Sequence, residues 1–429
     1  MRLACVRCGT THAGAADATS CACGALLEVL PAPPAITGTA LRGLFQRRRT
    51  TRSPIDRSGV WRYRELVAPD LPEAGLLARG EGNTGLYEPR RVGAWAGLQT
   101  GRLLLKHEGE NPTGSFKDRG MCVGVSAALH QGARALACAS TGNTSASLAS
   151  YAALAGVPCV VFVPQGKVSL GKLAQTVAYG ARVLEVRGSF DAAMRLVEEA
   201  AKAFGLGLLN SVNPWRIEGQ KAIGLELLDD LDWSPPDWIV LPAGNLGNIS
   251  ALGKGLREAR AAGLIDRLPR VAAIQAAGAS PFARWMGAGG EGQLPPEPNP
   301  ETVATAIRIG DPRSWEKARR ELRALDGVTL AVSDGELLEA KAEVDAAGVG
   351  CEPASAASVA GVRRLVAAGT IARGASVACI LTGHLLKDPE TTTAFHGGKY
   401  AEIVPRAGNV SVVVDGTLAA VEQAIKSMV

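Results

Sequence analysis

Aromatic residues are scarce in this chain, and their scarcity limits what it can bind. Phe, Trp and Tyr make up 4% of its 429 residues, too few to predict stacking platforms for unpaired bases.

The formal net charge is only +5. The arginines at 47–49 and the pair Arg90–Arg91 are therefore expected to lie on solvated surfaces, and positive charge is expected to act locally in an anion pocket. We expect no nucleic-acid partner.

Long apolar runs and histidines are also few. The run Val157–Val163 is too short to cross a bilayer, and the start from Met1 to Cys5 lacks the apolar stretch of a signal peptide. These features predict a cytoplasmic protein with no membrane partner, whose nine cysteines are reduced thiols or metal ligands. None of the five histidines lies in a hydrolase motif, which disfavours His-based or metal-based catalysis.

The pattern of apolar residues indicates an α/β protein. A chain of 429 residues exceeds one hydrophobic core and predicts two or three domains. Beyond residue 90, short apolar runs alternate with helical stretches such as Ala192–Phe204 and Leu252–Ala262, which favours open parallel sheets with sites at the carboxyl ends of strands. The predicted buried strands are Leu103–Lys106, Ala135–Ala139, Cys159–Val163, Arg182–Val186, Trp238–Leu241, Arg270–Gln275 and Val377–Leu381.

Two cysteine pairs distinguish the first thirty residues. Cys5 and Cys8 form a C-x-x-C pair, Cys21 and Cys23 form a C-x-C pair, and a glycine follows each pair. Four thiolates close a tetrahedral zinc site with no open position, so the zinc would be structural. The alternative is a vestigial ribbon without metal, since the second pair is one residue shorter than usual.

A lysine follows the first predicted core strand in the segment Glu110–Gly120. Pro112 and Gly114 interrupt the backbone and Ser115 suits a helix N-cap, which predicts Lys117 in the first turn of a helix. The positive end of a helix disfavours a protonated ammonium. A desolvated lysine there is suited to forming a Schiff base. Taken alone, a lysine is more often a solvated surface charge.

Anion-binding sequences follow three other strands. The loop Pro242–Asn248 precedes a helix and presents backbone N–H groups. It has neither a Walker nor a dinucleotide-binding pattern, so a single phosphate monoester, such as that of pyridoxal phosphate, suits it better than ATP or NAD. The hydroxyls and amides of Ser140–Ser145 suit a carboxylate. Asn210–Arg216 offers amide, hydroxyl and guanidinium groups to a second anion, although Arg216 is equally compatible with a surface salt bridge.

In this order the segments resemble the threonine synthases, which belong to the tryptophan-synthase-β superfamily of fold type II pyridoxal-phosphate enzymes. The resemblance extends from about residue 58 to residue 390. The sequences that carry it are SGVWRYREL (58–66), ENPTGSFKDRG (110–120), STGNTSASLASYAA (140–153), NSVNPWRIEGQK (210–221), ATAIRIG (304–310), EPASAASVAG (352–361) and LTGHLLKDP (381–389).

The resemblance implies a role for each candidate residue. Lys117 is implied to form the Schiff base with pyridoxal phosphate and to transfer protons. Contacts with the cofactor ring are implied for Phe116, for Asn143 at the ring oxygen and for Thr382 at the ring nitrogen. The implied cofactor-phosphate ligands are Gly244, Asn245, Leu246, Gly247 and Asn248. The implied substrate ligands are Ser140, Thr141 and Thr144 for the carboxylate or phosphate, and Asn210, Ser211, Arg216 and Asn245 for the leaving phosphate.

It also implies an architecture of two open, mostly parallel sheet domains with the active site between them, preceded by the zinc-ribbon-like knuckle. A homodimer is common among such enzymes. The expected divisions are 1–30 for the knuckle, 31–60 for a Pro-, Arg- and Thr-rich linker, 61–118 with 205–390 for the large cofactor-binding domain, 119–204 for the small domain, and 391–429 for a strand–helix tail.

The implied reaction converts O-phospho-L-homoserine and water into L-threonine and phosphate. The nearest alternative is β-replacement on O-phosphoserine, as in a cysteate-synthase-like enzyme, or the reaction of a related enzyme of specialised metabolism with another nucleophile. A dehydratase would not need the second anion pocket, and a noncatalytic zinc-ribbon protein would not bind the cofactor. Two positions depart from the family: Gly85 replaces a usual proline, and Leu385 replaces a usual glycine beside Thr382, which favours an altered substrate preference.

Overall fold

The computed structural model describes residues 2–13, 18–30, 32–166, 170–188, 190–400, 403 and 408–426. The strands are β1 Arg2–Cys5, β2 Thr11–Ala13, β3 Leu27–Leu30, β4 Leu86–Tyr87, β5 Arg102–His107, β6 Leu136–Ala139, β7 Cys159–Pro164, β8 Arg182–Val186, β9 Gly207–Leu208, β10 Trp238–Pro242, β11 Arg270–Ala276, β12 Val328–Val332 and β13 Ser376–Leu381. The α-helices are α1 Gly38–Arg49, α2 Pro54–Arg57, α3 Arg64–Val67, α4 Arg90–Trp95, α5 Lys117–His130, α6 Asn143–Ala155, α7 Leu170–Ala178, α8 Phe190–Phe204, α9 Pro214–Gln220, α10 Ala222–Asp230, α11 Gly247–Ala261, α12 Pro281–Gly287, α13 Trp315–Ala324, α14 Asp334–Ala346, α15 Pro353–Ala367, α16 Pro389–His396 and α17 Leu418–Lys426. Short 3-10 helices span Trp61–Tyr63, Glu108–Glu110, Ala277–Ala279, Thr305–Ile307 and Leu385–Lys387.

The larger sheet has six strands in the order β12-β11-β10-β13-β5-β4. Its strands are parallel except β4, which runs antiparallel to β5. Apolar side chains cover both faces: Ile239 and Leu241 of β10 belong to one hydrophobic core and Val240 belongs to the other. A strand buried on both faces must be apolar at successive positions, which explains the continuous run in its sequence.

The smaller sheet has four parallel strands in the order β8-β7-β6-β9. All seven predicted strands are present in the two sheets, and the mixed α/β fold class is confirmed. Val328–Val332 was not predicted, because it lies at a sheet edge and most of its side chains are half-buried. Gly207–Leu208 pairs with β6 of the smaller sheet, beyond the predicted domain boundary at 205. The domain division itself stays a prediction.

The N-terminal residues form an antiparallel sheet in the order β2-β1-β3. Two lysines, from helices α13 and α11, hold this sheet against the rest of the protein. Lys317 of α13 donates to the Leu27 carbonyl and Lys254 of α11 to the Val29 carbonyl, both at 2.7 Å. The knuckle therefore packs behind α11, the helix that follows the predicted phosphate loop.

Residues 31–60 differ from the predicted linker, because helix α1 packs into the core. Leu41 and Phe45, one helical turn apart, are fully buried, and the Phe45 ring lies 4.9 Å from that of Tyr63. Arg48 was expected on a solvated surface, but it is buried and donates to both carboxylate oxygens of Glu65. Because most residues of this segment are polar, the sequence did not indicate that Leu41 and Phe45 are buried.

The described part of the C-terminal tail contains helices and no strand. Phe395 of α16 is buried against the larger sheet's core, whereas Leu418 and Ile425 of α17 are exposed. Among the described residues of the tail, the predicted helix is present and the predicted strand is not. No helix among the described residues has the length and apolarity needed to cross a membrane.

Candidate active site

Lys117 begins helix α5 directly after a turn that is fixed to the end of strand β13. The Phe116 N–H donates to the Thr382 carbonyl at 3.1 Å, and the His384 N–H donates to the Gly114 carbonyl at 2.9 Å. Gly114 has φ +85°, a conformation that favours glycine. The predicted lysine turn and the predicted Thr382 segment are thus neighbours in space.

Burial changes the acidity of the Lys117 amine. Desolvation and, to a smaller extent, the positive charge of Arg216 lower its pKa to about 7, against the opposing effect of Glu352. The amine Nζ lies 3.8 Å from the centroid of the Phe116 ring. A large fraction of this amine is neutral at neutral pH, which nucleophilic attack requires. The sequence predicted both a helix terminus and desolvation as causes, and desolvation is the largest one.

Glu352 is a functional candidate that the sequence did not reveal. Its carboxylate accepts from Asn143 Nδ2 at 3.0 Å and from Thr382 Oγ1 at 3.2 Å, so it connects both residues predicted to contact a cofactor ring. Burial raises the pKa of Glu352, while Asn143 and the nearby Lys117 lower it. Glu352 occupies the N-cap position of α15, and the available signal was its place at the start of the family-like segment EPASAASVAG.

Gly383 makes room for this carboxylate. A Cβ built on Gly383 would lie 2.4 Å from Glu352 Cδ, a distance that no side chain tolerates. The Gly383 carbonyl accepts from the Glu352 N–H at 2.9 Å, and the Gly383 N–H donates to Ser355 Oγ at 3.0 Å. Thr382, Gly383 and Glu352 therefore form one fixed unit.

The loop after strand β10 has the features of a phosphate site. None of the N–H groups from Gly244 to Asn248 has an acceptor among the described residues. Asn248 is buried, yet neither its amide nitrogen nor its amide oxygen has a hydrogen-bond partner there. Leu246 adopts the left-handed conformation with φ +64°, which turns the chain into α11. Buried groups without partners indicate a ligand, and converging N–H groups at a helix start suit a phosphate.

Arg216 is fully buried without a counter-ion. Its Nη1 donates to the Leu209 carbonyl at 3.1 Å, its Nε has no partner among the described residues, and none of their carboxylates lies within the 4.0 Å of an ion pair. Burial lowers its pKa to about 10, so the guanidinium stays charged at neutral pH. An unpaired buried cation is unfavourable, and a bound anion would compensate it.

The side chains of Ser211 and Asn245 contact each other. Asn245 Nδ2 donates to Ser211 Oγ at 2.5 Å, and Asn245 Oδ1 accepts from the Arg313 N–H at 2.6 Å. Asn210 differs from its predicted role: its amide oxygen accepts from the Ala139 N–H at 3.0 Å and its amide nitrogen donates to the Ala139 carbonyl at 2.9 Å. The amide nitrogen also donates to Met194 Sδ at 3.3 Å, so Asn210 fixes the end of strand β6 and keeps no free N–H donor for a phosphate.

Ser140, Thr141 and Thr144 lie where strand β6 passes into helix α6. All three are half-buried, and the Ser140 hydroxyl accepts from the Gly142 N–H at 3.3 Å. Asn143, the first residue of α6, joins this turn to Glu352. The helix start adds N–H groups and a positive dipole, which suit a carboxylate.

Helix α9 brings the lysine turn and the phosphate loop together. A Cβ built on Gly219 of α9 would lie 2.0 Å from the Arg119 carbonyl oxygen, so α9 and α5 touch backbone to backbone. On its other side, a Cβ built on Gly247 would lie 3.5 Å from Ile217 of α9. The same short helix carries Arg216, which places the unpaired cation between both segments.

The two departures from the family pattern have clear local contacts. The Gly85 N–H donates to Glu110 Oε2 at 2.6 Å, a bond that proline is unable to make. Leu385 lies against Gly350, whose built Cβ would be 2.8 Å from Leu385 Cδ2. The bulky side chain therefore packs on the turn before Glu352.

The four N-terminal cysteines converge. Their sulfur atoms all lie within 4.8 Å of one another, with Cys5 Sγ 3.3 Å from Cys23 Sγ and Cys8 Sγ 3.7 Å from Cys21 Sγ. Four sulfurs in one small cluster match the ligand set of a structural zinc site.

Lys117, with its lowered pKa, and a loop of N–H groups without acceptors, both of which follow strands of the larger sheet, are the features of a pyridoxal-phosphate enzyme of fold type II. Residues 77–383 match the family of pyridoxal-phosphate dependent enzymes. Threonine synthase of Methanosarcina acetivorans is 46% identical over 391 residues, 91% of this chain and 93% of that protein. Threonine synthase of Mycobacterium tuberculosis is 51% identical over 77% of this chain and 88% of that protein. The chain belongs to this family and, within it, to the threonine synthases.

A solved structure agrees with this assignment at the level of the fold. The structure of threonine synthase from Escherichia coli covers 100% of both chains with a TM-score of 0.70 and 18% identity. At this identity the likeness shows a shared fold and no more.

Proposed function

We propose that this protein converts O-phospho-L-homoserine and water into L-threonine and inorganic phosphate, using pyridoxal phosphate attached to Lys117. The observation that carries the proposal is the buried, unpaired Arg216 whose charge acts on the Lys117 amine. A pyridoxal-phosphate enzyme that acts on an unphosphorylated amino acid needs no phosphate site besides that of its cofactor. The relatives named above are threonine synthases, and none supports β-replacement on O-phosphoserine.

The residues present fit the cofactor. When bound, pyridoxal phosphate supplies an aldehyde for amine condensation and a ring that accepts electrons from the substrate. The N–H groups of Gly244 to Asn248 and the Asn248 amide would bind its phosphate, since these groups have no other partner among the described residues. Thr382 would meet the ring nitrogen and Asn143 the ring oxygen, with Phe116 beside the ring. Glu352 holds Asn143 and Thr382 in position.

Lys117 would move protons during the reaction. An amine with a pKa of about 7 accepts and returns a proton near neutral pH, because its acid and base forms are both populated. The Lys117 amine would remove the proton from the substrate Cα. The same amine would serve the proton transfers at Cβ. Its turn is fixed to the Thr382 segment, which limits its movement.

Arg216, Ser211 and Asn245 would bind the phosphate that leaves from Cγ. A guanidinium offers two parallel N–H groups to phosphate oxygens, and it stabilises the negative charge that grows as the C–O bond breaks. The start of α6, with Ser140, Thr141 and Thr144, would bind the substrate carboxylate. The two substrate anions are then placed at opposite ends of a short amino acid.

A substrate comparison tests this function. The purified holoenzyme is incubated with O-phospho-L-homoserine, and separately with O-phosphoserine and sulfite. We expect threonine and phosphate in equal amounts from the first and no amino-acid product from the second. A product from phosphoserine, with phosphohomoserine untouched, would establish the alternative reaction.

We also propose that Cys5, Cys8, Cys21 and Cys23 bind one structural zinc ion. The clustering of the four sulfurs supports it, and metal analysis of the purified protein should give one zinc per chain. A Cys8→Ser variant should lose the metal and keep its pyridoxal phosphate. A metal-free wild-type protein would contradict the site.

We propose that the protein is located in the cytoplasm. Free buried thiols such as Cys138 and Cys379, together with a thiolate metal site, are stable in a reducing cytoplasm. We also propose a homodimer. Light scattering on the purified protein would measure its mass, and a monomer mass would contradict the dimer.

A further inference from the structure

Lys387 is a half-buried lysine that the site described above leaves unused. It ends the 3-10 helix Leu385–Lys387, and its Nζ donates to Gln175 Oε1 in helix α7 of the smaller sheet's domain. Its side chain crosses the lysine turn: a Cβ built on Gly114 would lie 2.9 Å from Lys387 Cε. An ammonium group therefore lies beside the segment that carries Lys117.

This ammonium has no counter-ion of its own among the described residues. The negative charges that act on Lys387 are those of Glu352 and Asp118. Both carboxylates are already engaged, Asp118 with Thr113 and Ser147, and Glu352 with Asn143 and Thr382. Burial outweighs the two charges and lowers the pKa of Lys387. One neutral amide satisfies only one of the three ammonium donors.

Its neighbour Gln175 lies next to the start of helix α6. Thr176, the following residue, donates from Oγ1 to Ser145 Oγ at 3.2 Å, and Ser145 is in the first turn of α6. Lys387 thus reaches the side of the pocket assigned to the substrate carboxylate. Arg216, another cation without a counter-ion among the described residues, is held at the Leu209 carbonyl, two residues before Ser211 in the chain.

We propose that Lys387 is a substrate-binding residue whose ammonium leaves Gln175 and pairs with the α-carboxylate of the bound amino acid. This inference rests on the proposed function. It gives each acidic group of the substrate its own cation, Arg216 for the phosphate and Lys387 for the carboxylate. The Gln175 contact then holds the ammonium in place until substrate arrives.

Variants of Lys387 in the holoenzyme test whether its positive charge binds the substrate carboxylate. In Lys387→Gln, the KM for O-phospho-L-homoserine should rise roughly tenfold or more, as expected for losing a hydrogen bond between charged groups, with kcat changed less. Binding of L-threonine should weaken equally, whereas binding of L-threoninamide, which lacks the carboxylate, and of inorganic phosphate should not change. Lys387→Arg should restore much of the threonine affinity. Weaker phosphate binding with unchanged threonine binding would overturn the proposal.

Variants of Gln175 separate this role from a structural one. Gln175→Glu would hold Lys387 in an ion pair, so it should raise KM as Lys387→Gln does, while Gln175→Met releases the ammonium and should leave KM at or below the wild-type value. If Lys387 merely joins the two halves of the protein, Gln175→Met would be the damaging change and Gln175→Glu the harmless one. That result would refute the proposal. If wild-type enzyme makes no threonine, the proposed function fails, and the threonine and threoninamide affinities still decide the role of Lys387.

Discussion

Asn143 and Glu352 lie 209 positions apart in the chain and meet through a 3.0 Å hydrogen bond. Asn143 begins helix α6 beside the smaller sheet, and Glu352 precedes helix α15 beside the larger one. The bond therefore crosses between the two sheets at the site. Because the same carboxylate also accepts from Thr382, it orients both groups proposed to contact the cofactor ring.

Glu352→Gln should weaken pyridoxal-phosphate binding. A glutamine amide keeps the size but replaces one acceptor oxygen with a donor, so either Asn143 or Thr382 loses its acceptor. Hydrogen bonds to a charged group contribute about 1.5–3 kcal/mol, and we expect the cofactor Kd to rise roughly tenfold to a hundredfold. Titration of apoenzyme by cofactor absorbance measures it. The exposed Glu390→Gln is the control, and an unchanged Kd in Glu352→Gln would show that Glu352 does not position the ring contacts.

Arg216→Met should change both substrate binding and the pH dependence of cofactor uptake. Because the positive charge lowers the pKa of Lys117, its removal should move the midpoint of cofactor condensation upward from its wild-type value of about 7. The rate of uptake falls as pH decreases through this midpoint, since the amine becomes protonated. Stopped-flow absorbance across pH measures the midpoint. Arg216→Lys keeps the charge and should keep the wild-type midpoint; identical profiles for the methionine and wild-type proteins would contradict the coupling.

Lys117→Met should stabilise the apoprotein while it abolishes attachment of the cofactor. Folding lowers the pKa of Lys117 from 10.5 to about 7, so the unfolded chain binds more protons between these values and the stability of the wild-type protein rises with pH there. The gain from the substitution is therefore largest below pH 7, shrinks above it, and is lost as pH approaches 10.5. Thermal unfolding at several pH values tests this, with exposed Lys202→Met as control. A Tm for Lys117→Met that is equal to wild type below pH 7 would show that the amine is not desolvated.

Gly383→Ala should displace the Glu352 carboxylate and so weaken both cofactor binding and folding. The added Cβ would lie 2.4 Å from Glu352 Cδ, so the carboxylate must move from Asn143 and Thr382. Forced overpacking costs about 1–3 kcal/mol, and cofactor affinity should fall together with stability. Urea unfolding and cofactor titration measure the two effects. Gly287→Ala meets nothing within 4 Å and serves as the matched control; if the two variants behave alike, the close contact at Gly383 has no energetic effect.

Local sequence accounts for the features whose signals lie within a few residues. The apolar run Trp238–Pro242 determines a strand buried on both faces, and the glycines after it predict the loop that opens α11. The turn residues around Gly114 predict Lys117 in the first turn of a helix, and α5 begins at Lys117; the N-cap is Phe116 in place of the predicted Ser115, and no side chain caps the helix. Resemblance to a family then assigns a chemistry to these segments and identifies Arg216 as an anion ligand.

Tertiary structure decides which groups lack partners, and therefore which are available to ligands. Nothing near Arg216 in sequence shows that its guanidinium is buried without a carboxylate, and nothing near Asn210 shows that its amide is engaged by Ala139. Glu352 and Lys387 become visible only once α15 and α7 are packed beside the lysine turn. Local propensities act over one or two turns of chain. Desolvation and pairing of charges depend on residues hundreds of positions away, so only the folded chain determines them.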